Sequence, residues 1–164
     1  MLGENSTGPF SANSIGGVSL DMKITSIPAS CSLNTNNINF YLGEQKQEYF
    51  TSVGATTRGN TQHITLTCDT NIKYSLQVDG IAESNQPGVL KLTQEPGAAS
   101  GVGVQLLANN KEIEIGKTKE MGTSATSGTN LPEKIDITAR YYQTADKVTP
   151  GSANASATFT LTYQ

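Results

Sequence analysis

Apolar residues recur at every second position in one segment after another of this 164-residue chain. Because successive side chains of a strand point to opposite faces of a sheet, this period predicts strands with one buried face. An α-helix would need a period near 3.6, which no segment keeps for more than one or two turns. The alternating apolar positions are Val18/Leu20/Met22/Ile24, Ile38/Phe40/Leu42, Ile64/Leu66/Cys68, Tyr74/Leu76/Val78, Leu90/Leu92, Val102/Val104/Leu106, Ile113/Ile115, Ile135/Ile137/Ala139/Tyr141 and Ala157/Phe159/Leu161/Tyr163.

Turn-forming pairs separate these segments, among them Pro87-Gly88, Pro96-Gly97 and Pro150-Gly151. Roughly eight short strands at this spacing are typical of an all-β fold, a β-sandwich with immunoglobulin-like packing. Residues 121–130, rich in Gly, Ser and Thr, predict a flexible loop. Residues 1–16 carry no alternation, so we expect a leader or linker there and a single domain over residues 17–164.

The charge balance excludes one large class of partner. The chain has 11 Lys and Arg against 14 Asp and Glu, a net charge of −3, and no cluster of basic residues. Nucleic-acid-binding domains need a basic face that neutralises phosphates, so we expect no nucleic-acid partner. No window approaches the ~20 apolar residues of a membrane-spanning helix.

The two cysteines, Cys31 and Cys68, both lie in segments with the strand pattern. A disulfide between them would stabilise the fold by roughly 3–4 kcal/mol on the loop-entropy relation. Two unpaired buried thiols are the alternative, because Cys is among the most frequently buried residue types. The Thr- and Asn-rich composition without Trp is typical of secreted β-proteins and favours the disulfide.

Residues capable of catalysis are few and scattered. The single histidine, His63, precedes Ile64 in a predicted strand, and no sequence signal places a nucleophile or carboxylate beside it. Glu112 and Glu114 share one strand face, which is more typical of a solvated surface than of paired acid–base groups. Two cysteines with one histidine between them lack the ligand spacing of a zinc site. We therefore expect no catalytic, metal or cofactor site, and no enzyme activity.

The C-terminal segment carries a more specific pattern. Tyr163 is the penultimate residue, and Gly151 is the fourteenth residue from the end. Together with the tracts at residues 53–57 and 101–106 and the two cysteines, this order of features resembles chaperone–usher pilus subunits. Both minor pilins and the pilin domains of tip adhesins share it. The resemblance covers about residues 17–164, the expected pilin domain.

The resemblance implies an immunoglobulin-like sandwich that lacks its last strand and therefore has an open hydrophobic groove. In that family a periplasmic chaperone lends a strand to the groove, and the N-terminal extension of a neighbouring subunit then replaces it. In such strand addition, main-chain hydrogen bonds give affinity and side chains in pockets give register. The expected groove residues are Ala157, Phe159, Leu161 and Tyr163 on one wall and Val102, Val104 and Leu106 on the other, and the expected chaperone anchor is the terminal carboxylate of Gln164.

Further partners and the location also follow from the resemblance. It implies an outer-membrane usher, neighbouring pilus subunits, and a host receptor reached through an associated adhesin domain. It places the chain in a fimbrium at the cell surface after passage through the periplasm. The implied function is that of a structural or tip-proximal subunit of an adhesive fimbria, assembled by donor-strand exchange.

Two questions stay open at this level. Val18, Leu20, Met22 and Ile24 have the alternation of a donor strand and precede Cys31 at about the family's spacing, but they equally suit an ordinary first strand. About sixteen residues come before them, more than in a typical pilin. The chain is otherwise interpreted as the anchoring domain of a two-domain tip adhesin, or as a free-standing secreted carbohydrate-binding sandwich.

Overall fold

Strands account for most of the structure, a computed structural model that describes residues 14–15, 19–26, 31–34, 37–42, 45–84 and 86–163. One short 3-10 turn, Gln47–Tyr49, lies among them. In chain order the strands are β1 (Ser14–Ile15), β2 (Ser19–Ser26), β3 (Cys31–Leu33), β4 (Asn37–Tyr41), β5 (Gln45–Lys46), β6 (Asn60–Cys68), β7 (Lys73–Asp79), β8 (Ala82–Glu83), β9 (Gln86–Lys91), β10 (Val102–Ala108), β11 (Lys111–Glu112), β12 (Thr118–Thr123), β13 (Leu131–Gln143) and β14 (Ala155–Tyr163).

Two main sheets form the body of the protein. The first has the strand order β3-β6-β13-β10-β9-β8, with β11 paired to β10, and the second has the order β12-β7-β14-β2-β4. A separate two-stranded ladder joins β1 to β5. Every pairing between these named strands is antiparallel except one, because β2 runs parallel to β14.

The inward faces of the two sheets share one hydrophobic core. Ile64 on β6, Tyr141 on β13 and Phe159 on β14 have no solvent-exposed surface. Along β6, β13 and β14, buried residues alternate with more exposed ones, as the sequence period requires. The predicted all-β sandwich is confirmed, and most of the predicted apolar positions lie in its core.

One segment of the second sheet differs from the sequence-based prediction. Residues 121–130 are predicted to form a loop, but residues 121–123 belong to β12, which pairs with β7. A bulge between Glu120 and Gly122 accompanies this pairing, and a Cβ atom at Gly122 would lie 2.9 Å from Tyr74 Oη. The edge of β7 offers backbone hydrogen bonds to any adjacent segment, so β12 forms without an apolar alternation of its own.

Candidate functional site

β14, the strand that carries four of the seven predicted groove residues, has a neighbour on both sides. On one side it pairs antiparallel with β7, and Tyr163 lies opposite Tyr74 in that ladder. On the other side it pairs parallel with β2, and Leu161 lies opposite Ser26. The last strand of the chain is therefore completed by an N-terminal strand of the same chain.

β2 lies between β14 and β4. We call the space that it fills between these two strands the β2 slot. On its far side β2 pairs antiparallel with β4, from Ser19 opposite Tyr41 to Lys23 opposite Asn37. No pairing joins β14 directly to β4 in the part of the chain that the structure describes. Without β2, both strands would have an unpaired edge, and such edges expose rows of backbone N–H and C=O groups that invite strand addition.

The sandwich has two ends that define the direction of β2. At the disulfide end, Cys31 on β3 lies opposite Cys68 on β6, and β7 begins a few residues later. β14 finishes at this same end, because Tyr163 pairs within the first residues of β7. At the far end β7 finishes at Asp79 and β14 begins at Ala155.

Chain length explains why β2 is parallel to β14. Ser26 lies opposite Leu161 near the disulfide end, so the four residues 27–30 suffice to reach Cys31. In an antiparallel orientation Ser26 would lie near Ala155, roughly 20 Å away along the strand, and crossing between the sheets adds about 10 Å. The five peptide steps from Ser26 to Cys31 span at most about 18 Å. The protein's own strand therefore enters the slot in the parallel direction.

The predicted disulfide between Cys31 and Cys68 is confirmed, with the two Cα atoms 4.0 Å apart. The alternative of two unpaired thiols is wrong. Both residues are buried in the core, and the bond joins the edge strand β3 to β6. The disulfide therefore fixes the chain to the first sheet shortly after it leaves the β2 slot.

The predicted groove residues of β14 face the core. Ala157, Phe159 and Leu161 are buried, and Tyr163 packs against the same core while partly exposed. These side chains alternate with Ser156 and other outward residues along the strand. They form a continuous apolar border along one side of the β2 slot.

The three predicted groove residues of β10 do not lie on a strand that borders the β2 slot, where the second wall of the groove was expected. Val102, Val104 and Leu106 are buried in the same core, but β10 lies in the first sheet, between β13 and β9. The strand that borders the β2 slot opposite β14 is β4, which contributes the buried Ile38 and Phe40. The alternation identified Ile38 and Phe40 as strand residues, but a period of two reports a face and not a neighbour.

A hydrogen bond joins the two sheets near the disulfide end. Tyr74 on β7 is only 5% exposed, and its hydroxyl donates to Glu133 Oε1 on β13 at 2.6 Å. Burial, reinforced by the hydrogen bond to Glu133 and by that negative charge, raises the pKa of Tyr74 well above its usual range. Tyr163 of the C-terminal motif lies opposite Tyr74, beside this link.

Gly151, the glycine of the same motif, lies in the connection to β14 where no side chain fits. A Cβ atom there would collide with the Gly97 carbonyl oxygen and would lie 2.7 Å from Ala99 N. Ser152 N donates to Gly97 O at 2.9 Å, and Ala99 N donates to Ser152 O at 2.7 Å. The glycine therefore allows two connections to pack backbone to backbone and positions the start of β14.

Some predicted site residues are not described by the structure. Val18 and Gln164 lie outside the described residues, as does most of the predicted leader at residues 1–16. Leu20, Met22 and Ile24 lie within β2, so their backbone positions are those given above.

Titratable side chains elsewhere make surface contacts. His63 Nδ1 lies 2.6 Å from Asp136 Oδ1 on the outer face of the first sheet, and their side chains are 50% and 41% exposed. Glu112 accepts a hydrogen bond from Gln105 Nε2 at 2.9 Å, and Glu114 forms an exposed ion pair. Within the described ranges there is no group of three His, Cys, Asp or Glu suited to a metal ion. Those ranges also contain no helix long and apolar enough to cross a membrane.

Sequence comparison places these features in a known context. The sequence model of a family described as fimbrial protein matches residues 18–164. Long polar fimbria protein A of Salmonella typhimurium strain LT2 is 31% identical over 164 residues, 97% of this chain and 90% of that protein. The type-1 fimbrial protein A chain of Escherichia coli is 33% identical over 159 residues, 92% of this chain and 84% of that protein.

Solved structures share the fold. A type I fimbria protein and antigen of Burkholderia pseudomallei has 26% identity and a TM-score of 0.59, covering 92% of this chain and 96% of its own. A solved chaperone–usher pilus has 21% identity and a TM-score of 0.62, covering 85% of this chain and 91% of its own. The immunoglobulin-like fold class expected from the strand pattern is confirmed by these likenesses.

Proposed function

This chain belongs to the fimbrial protein family, and from that premise we propose that it is a structural subunit of a chaperone–usher fimbria, assembled by donor-strand exchange. The family is the one expected from Gly151, Tyr163 and the cysteine pair, and its relatives are structural subunits rather than enzymes. The observation that carries the proposal is the β2 slot, because an N-terminal segment fills the space between β14 and β4.

A strand from a second copy is free of the limit that chain length sets on the protein's own strand. It can enter the β2 slot antiparallel to β14, like every other pairing between the named strands. Antiparallel pairs are slightly more stable per residue than parallel ones. Exchange of the chain's own parallel strand for a neighbour's antiparallel strand releases the first N-terminal segment, which then fills the slot of the next copy. Such head-to-tail contacts produce an open filament when the rotation between successive copies does not close a ring.

Val18, Leu20, Met22 and Ile24 are the donor residues in this proposal. Their alternation is what a strand needs when one of its faces is buried, and it specifies the register of insertion. A subunit within a fibre needs a donor strand, whereas a terminal adhesin does not. The fit of β2 in the slot therefore favours a structural or tip-proximal subunit over the anchoring domain of a tip adhesin.

Before assembly, a periplasmic chaperone covers the slot and an outer-membrane usher directs the exchange. The terminal carboxylate of Gln164 is the proposed anchor for basic residues of the chaperone, because charge-assisted hydrogen bonds to a carboxylate are strong. The groove residues of β14 then border the lent strand. The assembled fimbria contributes to cell adhesion, and an associated adhesin domain contacts the host receptor.

Uptake of a donor peptide during refolding tests this proposal. The full-length chain, unfolded with its disulfide intact, is refolded with an excess of a labelled peptide of residues 12–27. Because the peptide binds only the folded chain, the free energy of unfolding should rise with peptide concentration. A ligand at a hundredfold excess over its Kd adds about 2.7 kcal/mol. The peptide should also remain bound to the chain in gel filtration.

A matched peptide with Leu20→Asp and Met22→Asp is the control. Two carboxylates cannot enter an apolar slot without a large desolvation cost, so this peptide should not be taken up. A chain that refolds with neither peptide bound, at any ratio, has a slot that is closed to a second strand. That result would overturn donor-strand exchange and favour a free-standing sandwich.

A further inference from the structure

A pocket of about 670 Å³ opens at the far end of the sandwich, beside the first residues of β14. Gly80 and Ile81, which follow β7, line one side of it, and Lys91 and Leu92 line another. Residues 156–158 of β14 line the third side. The pocket therefore shares β14 with the β2 slot, and the rest of its lining comes from the end of β7 and the end of β9 with the residues that follow them.

Ile81 lines this pocket with 73% of its surface exposed, more than the exposed Tyr49 and Val53. Below it, Leu92 and Ala157 are buried and apolar. The backbone of Ile81 is held in place, since its carbonyl oxygen accepts a hydrogen bond from Lys91 N at 2.8 Å. Ile81, Leu92 and Ala157 therefore make the mouth of this pocket apolar, and burial of that apolar surface favours contact with a second molecule.

The direction of a donated strand places a neighbour at this pocket. In the antiparallel orientation, the donor's Ser26 lies near the acceptor's Ala155, at the far end. The donor's Cys31 follows after only four residues, 27–30, so it lies within about 18 Å of that point. The disulfide end of the donor body must therefore sit against the far end of the acceptor.

We infer that the pocket lined by Gly80, Ile81, Lys91 and Leu92 is a second docking site, which receives the disulfide end of the neighbouring copy of this chain. This inference rests on the proposed function, because the donated strand brings the two ends together. The contact joins different surfaces of identical chains and is continuous with the β2 slot along β14. It holds the donor body at a fixed angle, whereas the strand alone is tied to that body only through the four residues 27–30.

Two linked contacts have a measurable consequence. Once the donor strand is in the slot, docking at the pocket is intramolecular and gains from a high effective concentration. Loss of the docking contact should therefore weaken association between whole chains and leave the uptake of an isolated strand peptide unchanged. The peptide has no body to dock, so the two sites are separated by experiment.

Ile81→Asp in the full-length chain is the variant to test. Its uptake of the residue 12–27 peptide should stay within twofold of the wild type, because Ile81 is exposed and lies outside the slot. Self-assembly into fibres, followed by sedimentation and electron microscopy, should fall at least tenfold. Lys111→Asp adds a carboxylate on the exposed β11, whose partner Ala108 lies opposite Ile137 at the middle of β13, and should match the wild type in both measurements.

Each result bears on the inference separately from the proposed function. If Ile81→Asp takes up the peptide and assembles as well as the wild type does, the docking site is overturned. It is also overturned if the wild-type chain takes up the peptide but never assembles. If Ile81→Asp also loses peptide uptake, its fold is damaged and Lys91→Glu, at the same pocket, decides the comparison by the same criteria. A wild-type chain that refuses the peptide overturns donor-strand exchange, and assembly that still depends on Ile81 would then support the docking site alone.

Discussion

Leu161 on β14 lies opposite Ser26 on β2, and the two strands run in the same direction. On its other side Leu161 lies opposite Leu76 in an antiparallel ladder. β14 therefore has an antiparallel neighbour, β7, on one side. On the other side it has a parallel neighbour, β2, from the distant N-terminal part of the chain. The two segments are far apart in sequence, so their pairing closes a long loop. In the proposed assembly this is the pairing that a strand of a second copy replaces.

Loss of the disulfide is expected to destabilise the fold substantially. Replacing both cysteines, Cys31→Ser with Cys68→Ser, should lower the free energy of unfolding by roughly 3–4 kcal/mol, because the unfolded chain is no longer cross-linked. Urea unfolding measures the change. Reductant should destabilise the wild type by a similar amount and leave the double variant unaffected. A loss below about 1 kcal/mol would contradict the role given to this bond.

Phe159 is expected to be among the most costly core positions to truncate. Its side chain is fully buried on β14, so Phe159→Ala should cost about 3–5 kcal/mol through lost apolar contacts and the cavity left behind. Ser156→Ala on the exposed face of the same strand is the control and should change stability by less than about 0.5 kcal/mol. Equal effects of the two substitutions in urea unfolding would contradict the orientation of β14.

Gly151→Ala is expected to destabilise the fold through a backbone collision. A Cβ atom there would strike the backbone of Gly97 and Ala99, which cannot move aside as a flexible side chain can. Gly97→Ala is the matched control, because Gly97 also has a positive φ, of 81°, but open space around its Cβ position. We expect Gly151→Ala to cost about 1–3 kcal/mol more than the control in thermal or urea unfolding. The reverse order would contradict the packing of the two connections.

Stability at alkaline pH is expected to depend on Tyr74. Its pKa is raised in the folded state by burial and by Glu133, whereas in the unfolded chain it titrates near 10. The unfolded state therefore releases its proton first, and the stabilisation present below pH ~10 is lost as the pH rises above that value. Tyr74→Phe should remove this component of the pH dependence. Urea unfolding of both proteins between pH 8 and 11 measures the difference, and identical slopes would contradict the raised pKa.

The period-two alternation was enough to predict the architecture and the composition of the core. Ile64, Leu66 and Leu76 are buried where the pattern puts them, because a strand that packs on one side must repeat its apolar residues at every second position. The composition favoured the disulfide over two unpaired thiols, and Gly151 was recognisable through the resemblance to pilus subunits.

Strand β12 shows where the local sequence pattern does not predict a strand. Residues 121–123 have no alternation to announce a strand, and their pairing is imposed by the free edge of β7. Which strands border the slot is likewise not contained in a local pattern. Val102, Val104 and Leu106 share the core with β14, but they reach it from the facing sheet, and β4 borders the slot instead.

The chain itself thus specified which faces are buried and where turns interrupt them, because these follow from short-range stereochemistry. The tertiary structure decided which strands are neighbours and in which direction β2 runs. The reason is geometric, since those choices depend on the span from Ser26 to Cys31 and on the length of β14. The distance that this span must cover is set only when the two sheets have packed.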